Sequence, residues 1–167
     1  SLVTVSSATV ASGSTVTLTL TARDAAGNSI TSGGATVAFG RSGGVSTGTI
    51  SGTTDAGNGT YTATFTGVLA GSATTITATI GGVPVTSTLP TVQVVPGAIS
   101  AAGSTISVSS ATVQSGNTVG LTLQARDAAG NAISTGGATV VFTNSGGSST
   151  GTISGTTDQT NGTYTAV

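Results

Sequence analysis

The sequence predicts an all-β protein: tandem antiparallel β-sandwiches, the second of them incomplete. Three observations predict it. The chain repeats itself at a spacing of 103 residues, apolar and hydroxyl side chains alternate along short runs, and each run is bounded by Gly, Asn or Ser. Period-2 alternation is the signature of half-buried strands, and no segment shows helical spacing.

The repeat is close. Residues 5–63 align without a gap on residues 108–166, and 46 of the 59 pairs are identical. ARDAAGN occurs at 22–28 and 125–131, STGTISGTTD at 46–55 and 149–158, and NGTYTA at 58–63 and 161–166. A unit of this length is far longer than a β-helix coil or a helical repeat, so it reads as one whole small domain. Ser1 corresponds to Ser104 and Val167 to Thr64, so the second repeat has no counterparts of residues 65–103. The expectation is therefore a window on a longer array. Repeat one takes residues 1–95, a connector 96–104, and repeat two 105–167.

The elements follow in order. Residues 3–10 predict an irregular first strand. Residues 15–22 then place Val16, Leu18, Leu20 and Ala22 on one face and four threonines on the other. After a turn at Asp24–Asn28, Val37 and Phe39 mark a further strand. Asn58-Gly59 is a strong hairpin signal, because a two-residue turn with positive φ suits that pair. Residues 60–66 then set Tyr61, Ala63 and Phe65 against four threonines, and residues 75–80 set Ile76, Ala78 and Ile80 against three. Residues 83–94 predict a long last strand interrupted by Pro90. Successive side chains of a strand point to opposite faces, so one face of each sheet is apolar and buried. About seven short strands in about 100 residues describe a sandwich of the immunoglobulin type. With no cysteine to cross-link it, burial supplies the stability, at about 1.5–3 kcal/mol per large aliphatic side chain. The second repeat, lacking its later strands, is expected to expose sheet edges and to be unstable alone or to associate.

Composition explains the surface and excludes much chemistry. The chain holds 37 Thr, 23 Ser and 27 Gly, just over half of its 167 residues. Its charged residues are Arg23, Arg41, Arg126, Asp24, Asp55, Asp127 and Asp158, and there is no Lys, Glu, His, Cys, Met or Trp. Zinc, haem and iron–sulfur ligation lack their ligands. Ser/His/Asp and Cys/His nucleophile sets lack a member, and four turn aspartates supply no general base, so no enzyme is expected. Three arginines cannot neutralise several phosphates, which argues against nucleic acid. No window approaches the roughly 20 apolar residues of a membrane-spanning helix, and no membrane insertion is expected. No signal-peptide pattern opens this stretch. Val and Ile recur in register, which argues against a disordered Ser/Thr-rich stalk.

Each motif has a chemical reading and a structural one. The turns Asp24, Gly27, Asn28 and Asp127, Gly130, Asn131 offer hard oxygen ligands, and Asp55 could join Asp24 in a two-carboxylate calcium site. One carboxylate per motif fits better an Asp side chain capping backbone N–H groups beside a positive-φ Gly. No cofactor is expected. Asn58, Gly59 and Asn161, Gly162 open N-glycosylation sequons, but a tight turn asks for Asn-Gly in any case. The Ser-Gly-Gly loops lack the lysine of a phosphate loop. The outward threonine rows are the pattern of some ice-binding faces, yet sandwich sheets twist, and Gly120 and Gln124 interrupt the second row. Arg41 and Val45 lie in loop 40–46, where the repeats diverge (Gly40/Thr143, Arg41/Asn144, Val45/Ser148). That loop is the place to look for recognition. Sugar platforms need exposed aromatics, and the five aromatic residues occupy inward strand positions.

With these motifs placed, the chain resembles a known group. VTLTLTARDAAGN at 16–28, NGTYTATF at 58–65, and residues 71–85 with Ile80-Gly81-Gly82-Val83-Pro84 look like bacterial immunoglobulin-like repeats of the filamin and invasin type. The resemblance covers one complete unit and about two-thirds of another. It implies an extracellular bacterial protein, a stalk of a large adhesin or a surface fibre, with the turn motifs serving the fold. Near absence of charge sets this chain apart from many such repeats. The leading expectation is a spacer whose partners are neighbouring repeats or other copies of itself. The alternative is an adhesin or carbohydrate-binding module acting through loop 40–46, with its receptor or glycan unknown.

Overall fold

A computed structural model describes residues 1–167 and divides them into two compact units, Ser1–Pro96 and Gly97–Val167. The first unit is a sandwich of two five-stranded sheets. One sheet runs β1 (Leu2–Val5), β3 (Thr15–Thr21), β7 (Thr60–Leu69), β5 (Thr47–Ile50), with β6 (Thr54–Asp55) also on β7. The other runs β2 (Thr9–Ala11), β10 (Thr91–Val95), β8 (Thr74–Ile80), β4 (Val37–Ser42), with β9 (Val83–Pro84) on β8. All pairs are antiparallel except β2 with β10.

The alternation read from the sequence is the alternation of burial. Along β3, Val16, Leu18 and Leu20 are buried, and they lie opposite Phe65, Ala63 and Tyr61 of β7. The intervening positions pair Thr15 with Thr66, Thr17 with Thr64, Thr19 with Thr62 and Thr21 with Thr60 on the outer face. Cross-strand threonine pairs combine β-branched packing with a polar tip, so this face needs no charge. Val10, Val37, Ile76, Ala78, Val92 and Val94 close the core from the second sheet. The irregular first strand resolves into β1 and β2, which belong to different sheets, and the interrupted last strand into β9 and β10.

The second unit repeats the first sheet without a counterpart of β5, and does not repeat the second. Its strands are β11 (Ile99–Val108), β12 (Leu121–Asp127), β14 (Thr163–Ala166) and β13 (Thr157–Asp158). Leu121 pairs with Ala166 and Leu123 with Tyr164, the register of Leu18 with Ala63 and Leu20 with Tyr61. The counterparts of β2 and β4 form no strand. In the first unit those two hydrogen-bond to β10 and β8, and residues 1–167 contain no second copy of either. The inner face is consequently open: Ile106 is 66% exposed where Val3 is 2%, and Val113 is 51% exposed where Val10 is 5%.

The connector differs from its sequence reading. Residues 96–104 read as a linker, but Ile99–Ser104 begin the ten-residue strand β11 and belong to the second unit. Ile99 and Ser100 pair with Asp127 and Arg126, and after a bulge Thr105–Val108 pair with β12 in the register of β1 with β3.

Candidate functional site

Three turns recur in both repeats, and the first two carry six of the seven charged side chains. In the first, the Asp24 carboxylate accepts from the Asn28 backbone N–H at 2.8 Å and from Asn28 Nδ2 at 2.9 Å. Gly27, at φ 90°, donates its N–H to the Asp24 carbonyl. Arg23 closes the other side, its Nη1 donating to the Gly27 carbonyl at 2.9 Å. The second repeat copies every bond: Asn131 to Asp127 at 2.8 Å from both nitrogens, Gly130 to the Asp127 carbonyl, and Arg126 Nη1 to the Gly130 carbonyl at 2.8 Å. The arginine role was not read from sequence. Its signal is the Arg-Asp-x-x-Gly spacing, which returns the guanidinium to a carbonyl four residues on.

The second turn holds two loops together. Asp55 accepts from Gly57 N–H at 2.8 Å and from Gly34 N–H, 21 residues away, at 2.6 Å. Asp158 does the same with Thr160 and Gly137. The Ser-Gly-Gly loop before Gly34 is thus a docking strip for a carboxylate of its own repeat. Asp24 and Asp55 serve separate turns and spend their oxygens on backbone or amide donors. The Asn28 side chain and backbone hold the Asp24 carboxyl below its ordinary value, and the Gly34 and Gly57 amides do so for Asp55.

The third turn is the hairpin. Asn58 Oδ1 accepts from Thr60 N–H at 3.1 Å, and Asn161 Oδ1 from Thr163 N–H at 3.0 Å, so the sequon asparagine caps its own turn. Gly59 has φ 79°, and a Cβ there would be driven into the Ile30 carbonyl oxygen. Only glycine meets both conditions. Beside it, the buried Tyr61 hydroxyl accepts from Ala35 N–H at 3.1 Å, an arrangement repeated by Tyr164 and Ala138 at 3.0 Å.

Residues 40–46, read as one loop from the sequence, are in part strand: Gly40–Ser42 end β4, with Arg41 opposite Ile76 of β8, and the loop proper is residues 43–46. Ser46, fully buried, donates to the Gly71 carbonyl at 3.0 Å and accepts from Val94 N–H at 2.9 Å. Val45 N–H bonds Ser72, while the Val45 side chain is 57% exposed and Arg41 is exposed. Ser46 was missed by sequence reasoning, because one serine among 23 carries no local mark of burial.

Comparison with known proteins fits this geometry. The family model described as "Invasin, domain 3" matches residues 1–97, more than half of the chain, and the chain belongs to that family. Among solved structures, FdeC, an Escherichia coli adhesin, is similar with a TM-score of 0.64 and 29% identity, over 99% of this chain and 53% of FdeC. The adhesin InvE of Yersinia pseudotuberculosis is similar with a TM-score of 0.57 and 26% identity, over 99% of this chain and 49% of InvE. Invasin, a bacterial integrin-binding protein, shares the fold at a TM-score of 0.59 and 23% identity, over 99% of this chain and 33% of invasin. The chain thus spans about half or less of each. No curated protein sequence matches it. No helix of the chain is long and apolar enough to cross a membrane.

Proposed function

We propose that the chain is a structural repeat of an extracellular bacterial surface protein, serving as stalk, spacer or fibre subunit. One observation carries this reading. Six of the seven charged side chains (Arg23, Arg126, Asp24, Asp127, Asp55 and Asp158) are engaged in closing turns within their own repeat. What they leave outward is a sheet of paired threonines, a surface suited to solvation and length rather than to chemistry. Membership of the invasin family and likeness to adhesins support a bacterial surface location.

An uncharged face offers neighbours little electrostatic repulsion, so copies of the chain associate laterally or by strand addition at exposed edges. Sedimentation of a longer array tests this. Concentration-dependent association that salt barely changes is expected, and a monodisperse monomer at high concentration contradicts it. A receptor-binding reading draws on one feature, Val45 held out on the Ser46-anchored loop where the repeats differ. A glycan array or receptor pull-down with Arg41→Ala and Val45→Ser separates the two: loss of binding in either variant assigns recognition to loop 40–46.

A further inference from the structure

The second sheet of the first unit has two edge strands, β2 and β4, and they differ in kind. β2 is three residues long and pairs in parallel with β10. β4 is six residues long, the longest edge strand of the unit, and all six pair with β8 without a register shift. On the first sheet, the edge formed by β5 and β6 is broken by the shift at Thr47/Gly48 and by residues 51–53 between the two strands. Proline, bulges, short length and charge are the usual protections of an open edge. β4 has no proline and no bulge, and its one charge is Arg41, the charged side chain that closes no turn.

The hydrogen bonds of β8 fix which way the β4 backbone points. Ile76 N–H donates to the Pro90 carbonyl and Val85 N–H to the Ala78 carbonyl, so the even-numbered residues of β8 face β10 and β9. Thr75, Thr77 and Thr79 therefore face β4, where they meet Ser42, Gly40 and Ala38. Gly81 N–H, donating to the Thr36 carbonyl at 2.8 Å, continues the same phase. The backbone N–H and C=O groups of Val37, Phe39 and Arg41 are left aimed out of the sheet. On the inner face of the same strand, Val37 is buried and Phe39 packs half-buried against the core.

We propose that β4 is a self-pairing edge, to which a second copy of this chain adds its own β4 antiparallel. The proposal rests on the self-association reading above and names the strand that carries it. A two-fold axis through Phe39 places Phe39 opposite Phe39 and Val37 opposite Arg41 of the copy, so outward backbone groups meet outward backbone groups. Residues opposite one another in an antiparallel pair share a face, so the buried side of each sheet continues into the buried side of its copy. The two phenylalanines then cover each other, and each Arg41 lies beside a valine, not beside another arginine. Ala38 falls opposite Gly40 on the outer face, a pair without bulk. No carboxylate is called for across this pairing, in keeping with a chain whose four aspartates are spent on turns.

The test is amide hydrogen exchange of the full chain, resolved by NMR at low and at high concentration. Where the chain is associated, the Val37, Phe39 and Arg41 amides are expected to exchange roughly tenfold or more slowly, with Ala38 and Gly40 protected at both concentrations. Arg41→Pro removes an outward N–H and no bond to β8, a place where an edge strand accepts proline. It should abolish the gain at Val37 and Phe39 and leave Ala38 and Gly40 protected. Arg41→Ala keeps the N–H and should keep the gain. Because the chain has no cysteine, Ala38→Cys gives one nitroxide per copy, and pairing should bring two labels within about 20 Å of each other. Association in sedimentation without slower exchange at Val37 and Phe39, a gain that survives Arg41→Pro, or labels that stay apart would overturn β4 as the joint and leave self-association standing. No association at any concentration would overturn both.

Discussion

Thr160 is the one residue other than glycine with positive φ, at 60°, and its counterpart in the first repeat is Gly57 at 76°. A left-handed conformation costs a side-chain-bearing residue about 1–2 kcal/mol, and a β-branched one sits there poorly. Thr160→Gly should therefore stabilise the second repeat by about 1 kcal/mol after the loss of its own bond to Gln159. Hydrogen exchange over residues 157–163 reads it. The reverse case is Gly59. Because φ and the Ile30 carbonyl both exclude a Cβ, Gly59→Ala should cost about 2 kcal/mol or more in denaturant unfolding. Asn58→Ala, which removes a single cap bond, should cost about 1 kcal/mol. Acid should act through the same turns. Asp24, Asp55 and Asp127 all sit below the ordinary carboxyl value of 3.8. For Asp127, burial pushes the carboxyl up, and the bonds from Gly97, Asn131 and Ala129 more than offset it. A depressed folded value means stability that is fully present above about pH 5 and lost as pH falls through the range below 4. A thermal melt that is flat from pH 8 to 5 and falls below pH 4 is expected, and Asp55→Asn should blunt that fall. These turn residues were legible in the sequence because Asp, Asn and Gly are chosen there for local bonds. Arg23 and Ser46 were not, since their partners are carbonyls and amides that only the folded chain brings near.

At the scale of the element, strands announced themselves where both of their neighbours impose alternation. β3, β7 and β8 run through sheet interiors, and their patterns were read nearly residue for residue. The first strand was harder, because the chain leaves one sheet after Val5 and enters the other at Thr9. A change of sheet across Ser6-Ser7-Ala8, in the middle of the predicted strand, leaves no single period to detect. Residues 96–104 were harder still. Their Gly, Ala and Ser content reads as linker, and their strand pairing depends on Asp127 and on the bulge between Ser100 and Thr105. Ser46 shows what holds elements in place. Ser46→Ala leaves the buried Val94 N–H unbonded and should cost about 1–3 kcal/mol in urea unfolding, with loop 40–46 loosened. Phe65→Ala, at the centre of the core, should cost about 3–5 kcal/mol.

At the scale of the whole molecule, the repeat of 103 residues was the largest legible feature, and it accounts for the difference between the units. The first unit completes its sandwich within Ser1–Pro96, and the second keeps only the counterparts of β1, β3, β6 and β7. Extending the chain beyond Val167 with the sequence of residues 65–95 should cover Ile106 and Val113 and give the second unit a cooperative melt close to that of the first. The outer threonine face, nearly free of charge in both copies, is what remains for the surroundings to meet. The proposed spacer role is a statement about length. Small-angle X-ray scattering of chains with two, three and four complete repeats tests it most directly. Ten-residue strands span about 33 Å, so a spacer array should show a maximum dimension that grows by a constant step of roughly 30–45 Å for every repeat added. Growth that falls away with the cube root of mass, as in units that collapse on one another, would contradict it.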